Sequence, residues 1–244
     1  MLWWSRKKAK PSSFVTETPA AEPPSAPAPA PAAEPEPEIA SPAVAAVALT
    51  PDQALAELKS GNQAFLRGEN NLGHVKAADL DELQGGQNPI ATIVGCADSR
   101  TPPTILFNQG FGRLFSIRVA GNTVDRRGLA SIVYAVKHLN CPLVVVMGHT
   151  GCGAVAAAGA VVDGASLDPS LEEMLTPIIP AVLAARRSGT EDHAVAAVEE
   201  NARWVAAKLH TADTALSEAV DAGKLKIVAA VKRMETGEVS FLDA

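Results

Sequence analysis

Residues 141–149 read CPLVVVMGH, and the chain runs on through TGCG to residue 153. An apolar run with three consecutive valines and no polar alternation is a strand buried on both faces, which means a parallel sheet covered by helices. The strand stops at Gly148-His149, where glycines take over. Working outward, PIATIVGC (89–96) and LFSIRVAG (114–121) read as two earlier strands, LKIVAAV (225–231) as a fourth, and EVSFL (238–242) as a short last one after the turn at Thr236-Gly237. GLASIVYAVKHLN (128–140) is a helical pattern between the second and third strands. Three more helical stretches, near 153–162, 168–187 and 191–210, separate the third and fourth. The expected fold class is α/β, a mostly parallel central sheet flanked by helices, with a C-terminal antiparallel hairpin.

Upstream, Thr50 and Asp52 around Pro51 mark a helix start, a capping residue followed by proline at the first helical position. Ala54, Leu55, Leu58 and Phe65 then recur at helical spacing. Gly61 interrupts the pattern and suggests two helical pieces. So apolar a face outside the main sheet unit is expected to pack on a neighbouring subunit. Residues 11–42 hold ten of the 18 prolines, interleaved with Ala and Glu. Proline fixes φ and removes donors, so residues 1–48 are expected to form an extended, solvated tail, and residues 49–244 a single folded domain. The tip, MLWWSRKKAK, pairs two tryptophans with basic residues; the favoured reading is a disordered tip with no role, and the alternative is contact with an anionic membrane surface. It lacks the apolar stretch of a secretory signal.

The 244 residues are 47% hydrophobic, enough for one domain with a substantial core. A formal charge of -6 and 4% aromatic residues argue against a nucleic-acid partner. No apolar run reaches the roughly 20 residues that span a bilayer. Three cysteines, Cys96, Cys141 and Cys152, point to a reducing compartment, the cytoplasm, with export or membrane association through the N-terminal segment as the alternative. Their spacing alone leaves a Cys96–Cys152 disulfide open.

In open α/β sheets ligands bind at the carboxyl ends of the strands. Here the first strand ends in Cys96, followed by Asp98, Ser99 and Arg100, and the third ends in His149, followed by Cys152. Zinc takes thiolate and imidazole in tetrahedral geometry, and a catalytic zinc keeps three protein ligands and one exchangeable position. Cys96, His149 and Cys152 make such a set. Gly148, Gly151 and Gly153 permit the tight turn that lets His149 and Cys152 face one point.

GCADSRTPPTILFNQGFGRLFSIRVAGN (95–122), ASIVYAVKHL (130–139) and LVVVMGHTGCGAVAAA (143–158) together resemble the β-class carbonic anhydrases. LTPDQALAELKSGNQAFLRGE (49–69), AVEENARWVAAKL (197–209) and the final hairpin extend the likeness over residues 49 to 244. The resemblance implies a zinc lyase that interconverts CO₂ and bicarbonate. It implies one Zn²⁺ per subunit on Cys96, His149 and Cys152, an Asp98–Arg100 dyad beside it, and a homodimer or dimer-based homo-oligomer. In some members the aspartate serves as a fourth zinc ligand in a closed form. Three positions depart from the family pattern: Arg113 for an acidic residue, Val133 for Glu, and Lys232-Arg233 for Tyr-Asp. None is expected to touch the metal set.

On this reading Asp98 takes a hydrogen bond from the nucleophile while Arg100 holds the carboxylate off the metal. Two thiolates donate more charge to the metal than histidines would, so activity should rise toward alkaline pH. Ser99 reads as a turn residue. Gly121 and Asn122 are expected to shape the cleft, and Gln109 to lend it a polar group. His74, His138, His193 and His210 are candidates for carrying the proton to solvent, and Cys141 reads as a passive thiol. The alternatives are hydrolysis of CS₂ or COS on the same frame, and a non-catalytic zinc protein with Asp98 closing the site.

Overall fold

A computed structural model describes residues 49–69, 80–81 and 83–242, all within one compact unit. Helix α1 (Pro51–Leu66) starts where the sequence signals it. Gln53 N–H donates to Thr50 Oγ1 at 3.2 Å and Thr50 N–H donates to Gln53 Oε1 at 2.9 Å, a reciprocal cap over Pro51. It is one helix, not two. Gly61 is helical, and glycine is required there because the backbone of Phe107 lies against it: an added Cβ would fall 1.9 Å from the Phe107 carbonyl oxygen.

Strands β1 (Ala91–Gly95), β2 (Leu114–Arg118), β3 (Leu143–His149), β4 (Lys226–Lys232) and β5 (Val239–Leu242) form one sheet in the order β2-β1-β3-β4-β5. The first four run parallel and β5 pairs antiparallel with β4. Between them lie α2 (Pro103–Leu106), α3 (Arg126–His138), α4 (Gly153–Val162), α5 (Pro169–Leu175), α6 (Ile179–Arg187), α7 (His193–Ala212) and α8 (Thr214–Asp221). The chain leaves β1 toward β2 on one side and comes back to β3 on the other. The crevice outside the carboxyl ends of β1 and β3 is therefore the switch point where such sheets bind ligands.

Every residue of β1 and β3 is buried. On one face Val94, Val144, Val146, Ala229 and Val231 pack with Val198, Ala202 and Val205 of α7. On the other, Ile93, Val145, Met147, Val228 and Ala230 pack with Ala54, Leu55 and Leu58 of α1. The apolar face of α1 thus covers the chain's own sheet, which corrects the expectation that it packs on a neighbouring subunit. Burying an aliphatic side chain of this size is worth about 1.5–3 kcal/mol, so the sheet itself is sufficient partner for that face.

Other differences have local causes. The helix expected over 168–187 breaks at a 3₁₀ turn, Thr176–Ile178, because Pro177 and Pro180 lack the N–H groups a continuous helix needs. The second strand ends at Arg118, not Gly121, since the chain turns into a 3₁₀ segment at Ala120–Asn122 with Gly121 at φ 75°. α8 was not foreseen, yet Asp213 caps it by accepting from Ala215 N–H at 2.8 Å.

Candidate metal centre

Pairing of β1 with β3 sets Gly95 beside Met147. One residue further along, Cys96 leaves β1 beside the end of β3. His149 is the last residue of that strand. Gly151, at φ 65°, then turns the chain so that Cys152 becomes the residue capping the N-terminus of α4. The result brings together a Cys96 sulfur, a Cys152 sulfur and a His149 ring nitrogen, all within 4.8 Å of one another and all buried.

Two observations test this group as a metal site. His149 Nδ1 lies 3.0 Å from the Thr150 carbonyl oxygen, so Nδ1 carries the proton and Nε2 keeps a lone pair. That Nε2 is buried and has no hydrogen-bond partner among the described residues, a costly arrangement unless something binds it. The two sulfurs stand 4.0 Å apart. A disulfide needs about 2.05 Å, whereas two sulfurs bound tetrahedrally at about 2.3 Å from one zinc lie about 3.8 Å apart. The residues fit a zinc ion.

The two thiols share one hydrogen bond. The hydrogen bond shared with Cys152 and the N–H groups of Gly121 (3.3 Å) and Asp98 (3.4 Å) hold the Cys96 thiol far below its ordinary range. The same shared hydrogen bond, with burial, pushes Cys152 up. A divalent cation in place of the shared proton relieves both.

Asp98 stands beside the cluster. Arg100 donates from Nε to Asp98 Oδ1 at 2.9 Å and from Nη2 to Oδ2 at 2.6 Å, and its backbone N–H adds a third bond to Oδ1 at 2.9 Å. These bonds hold the Asp98 carboxyl well below the usual carboxylate range. Asp98 Oδ2 is 3.8 Å from His149 Nε2, so the carboxylate faces the cluster while Arg100 occupies both its oxygens.

Other expected residues take varied places. Gly121 belongs to the site through its N–H on Cys96, and Asn201 of α7 donates to the Gly121 carbonyl at 2.8 Å. Asn122 is buried next to it at φ 47°. Ser99 lies in the loop after β1. Gln109 donates to the Phe107 carbonyl, near Gly61 of α1. His138 packs against Tyr134, 5.4 Å between ring centroids. His210 lies in the last turn of α7. His193 lines a cavity of about 400 Å³ whose wall includes Cys152. His74 lies outside the described residues. Cys141 is buried at the opposite end of β3 from His149, and burial pushes its thiol up to about 11.

Two residues gain weight that the sequence did not give them. Arg118, at the end of β2, donates from Nε to the Cys96 carbonyl at 3.0 Å and from Nη2 to the Asp98 carbonyl at 2.6 Å, pinning the loop that carries both. Its signal was a lone cation at a strand's carboxyl end. Lys232 was expected not to touch the metal set, and its side-chain hydrogen bond goes to Met234. Its backbone nevertheless pairs with His149 in the β3–β4 ladder, and it is 6% exposed. Burial, together with the nearby Arg100 charge, pulls its pKa below the ordinary lysine value. The other departures are peripheral: Arg113 makes an ion pair with Glu57 of α1, and Val133 packs half-buried on α3.

Known proteins place the chain. The family model described as carbonic anhydrase matches residues 91–239. Carbonic anhydrase 2 of Mycobacterium tuberculosis is 36% identical over 198 residues, 79% of this chain and 93% of that protein. The carbonic anhydrase of Mycolicibacterium smegmatis is 33% identical over 199 residues, 78% and 93% of the two chains. Among solved structures, a tetrameric β-carbonic anhydrase of Sordaria macrospora superposes with a TM-score of 0.62 at 26% identity, covering 76% of this chain and 94% of its own. With the switch-point cluster and the sheet order already in hand, these likenesses make the chain a member of the β-carbonic anhydrase family.

Proposed function

We propose that this chain catalyses the reversible hydration of CO₂ to bicarbonate and a proton, using one zinc ion per subunit held by Cys96, His149 and Cys152. The observation that carries the reading is the buried, unpartnered His149 Nε2 grouped with two facing sulfurs. When bound, zinc supplies the Lewis acidity that makes water a nucleophile near neutral pH.

The chain's own groups do the rest. The Thr150 carbonyl fixes the His149 tautomer by accepting from Nδ1–H. Arg100 keeps Asp98 ionised and in place. An ionised Asp98 is an acceptor only. It takes a hydrogen bond from the attacking water, which aims the oxygen lone pair at the CO₂ carbon. A C–O bond forms, one C=O π pair moves onto oxygen, and the water's proton leaves to solvent. Arg118, through the Cys96 and Asp98 carbonyls, keeps ligand and acceptor in register with each other.

The same reading assigns residues 49–244 to the catalytic domain and residues 1–48 to a tail. It makes the active species a dimer or a dimer-based oligomer, in keeping with the tetrameric Sordaria relative. Three free cysteines favour the reducing cytoplasm. Among the described residues no helix is long and apolar enough to cross a membrane.

The test is stopped-flow CO₂ hydration by zinc-loaded protein from about pH 6.5 to 9, with COS and CS₂ assayed alongside. Turnover rising with pH and abolished in Cys152→Ala is the expected result. No CO₂ turnover across that range overturns the reading.

A further inference from the structure

Lys232 closes β4 directly opposite His149. Paired residues in a ladder project to the same face of the sheet, so the lysine side chain rises on the side of His149. It is 6% exposed, and lysine is seldom this buried without a charged partner. Its ammonium has three donors. Among the described residues its one hydrogen-bond acceptor is Met234 Sδ at 3.0 Å, a thioether and a weak acceptor.

The charged groups acting on Lys232 are Arg100, Asp98 and Glu235. Asp98 has both oxygens bonded to Arg100. Glu235 is exposed, with Oε2 directed to Thr150 Oγ1 at 3.5 Å. Neither gives the ammonium a carboxylate of its own. A nearly enclosed cation with unused donors therefore stands next to a cluster where, on the proposed function, a neutral substrate becomes an anion.

We propose that Lys232 is a binding residue for a small oxyanion, bicarbonate in the proposed reaction, with the ammonium donating a hydrogen bond to one of its oxygens. The inference rests on the proposed function for the identity of the anion, and on geometry alone for the site. Linear, uncharged CO₂ gains little from an ammonium, whereas bicarbonate gains a charge-assisted bond. Lys232 thus favours one side of the reaction.

Formate is the probe, a planar carboxylate monoanion that the reaction does not consume. Its Kd is measured by calorimetry on the zinc-loaded full chain, for the wild type and for Lys232→Met, which keeps length and bulk but removes the charge. The expected result is a Kd about tenfold higher, with KM for bicarbonate in dehydration rising in parallel. Lys232→Arg, which keeps the charge, should stay within about threefold of wild type. If Lys232→Met fails to fold or to hold zinc, Lys232→Gln replaces it with the same expectation. An unchanged formate Kd in the uncharged variant overturns the anion site. A wild type that hydrates no CO₂, but whose formate affinity falls when Lys232 is neutralised, overturns the proposed function and leaves the anion site standing.

Discussion

Cys96 Sγ and Cys152 Sγ face each other across 4.0 Å, one just past the end of β1 and the other at the head of α4. Both are free thiols, too far apart for a disulfide and well spaced to share one ion.

Metal occupancy should therefore decide which cysteines react. In zinc-loaded protein at pH 8 none of the three should alkylate quickly. After chelation Cys96, the thiol held low, should label, as read by mass spectrometry of the peptides, while Cys141 stays unlabelled. With its thiol pushed up to about 11, roughly one Cys141 in a thousand is thiolate at that pH. Unfolded chain ionises the Cys141 thiol near 9.0, before the folded chain does. Its burial therefore favours the fold below pH 9 and loses that contribution between 9 and 11, by up to roughly 3 kcal/mol. Labelling of Cys141 in the native state would contradict the burial argument.

Removing the Asp98 acceptor should cost turnover without costing metal. Asp98→Ala is expected to keep its zinc and lose about 10²-fold in kcat, the usual scale for a positioned polar group. Equal turnover in the two proteins would show that Asp98 does not orient the nucleophile. Because Arg100 lowers the Asp98 pKa, their pairing favours the folded state at neutral pH and its contribution fades as pH falls through the lowered value. Arg100→Ala should accordingly unfold at a slightly higher pH during acid titration, followed by circular dichroism.

Arg118 is expected to matter although it offers nothing to substrate. Arg118→Met removes charge-assisted bonds to the Cys96 and Asp98 carbonyls and should destabilise the fold by about 2 kcal/mol in urea. The loosened loop should also weaken zinc retention in a chelator competition. A variant with wild-type zinc affinity would reduce Arg118 to a packing role.

Gly61→Ala poses two effects against each other. Alanine improves helix propensity by about 1 kcal/mol. Its Cβ would lie 1.9 Å from the Phe107 carbonyl oxygen, a backbone atom that cannot swing aside. The clash should win, with net destabilisation of about 1–3 kcal/mol read from the urea midpoint. A more stable variant would mean that α1 can shift away from α2 freely.

The sheet was legible because its signals are local. Unbroken apolar runs such as Leu143–Met147 name buried parallel strands, and Thr50-Pro51 names a helix start. The metal-site candidates were legible because Cys96 and His149 sit where two such runs end. What stayed hidden depends on neighbours distant in sequence. The partner of the α1 face is β3 and β4, and no pattern within α1 says so. Gly61 looks like a helix breaker until Phe107 is set against it. Lys232 looks like an ordinary charged strand end until register puts it opposite His149. Arg118 becomes a clamp only once β2 lies along β1.

The β1–β3 register also has a bearing on how the chain reaches its fold. Before the sheet forms, His149 and Cys152 are close neighbours in the chain, but Cys96 lies a whole crossover away. An unfolded chain can offer zinc only the nearby pair. The third donor arrives when β1 docks beside β3, after the loop-closure cost of the intervening strand and helix has been met. A slip of one residue would turn Cys96 to the opposite face of the sheet and leave the pair without it. On the proposed function, metal affinity would then rise at one pairing and at no neighbouring one, so zinc uptake would report strand alignment.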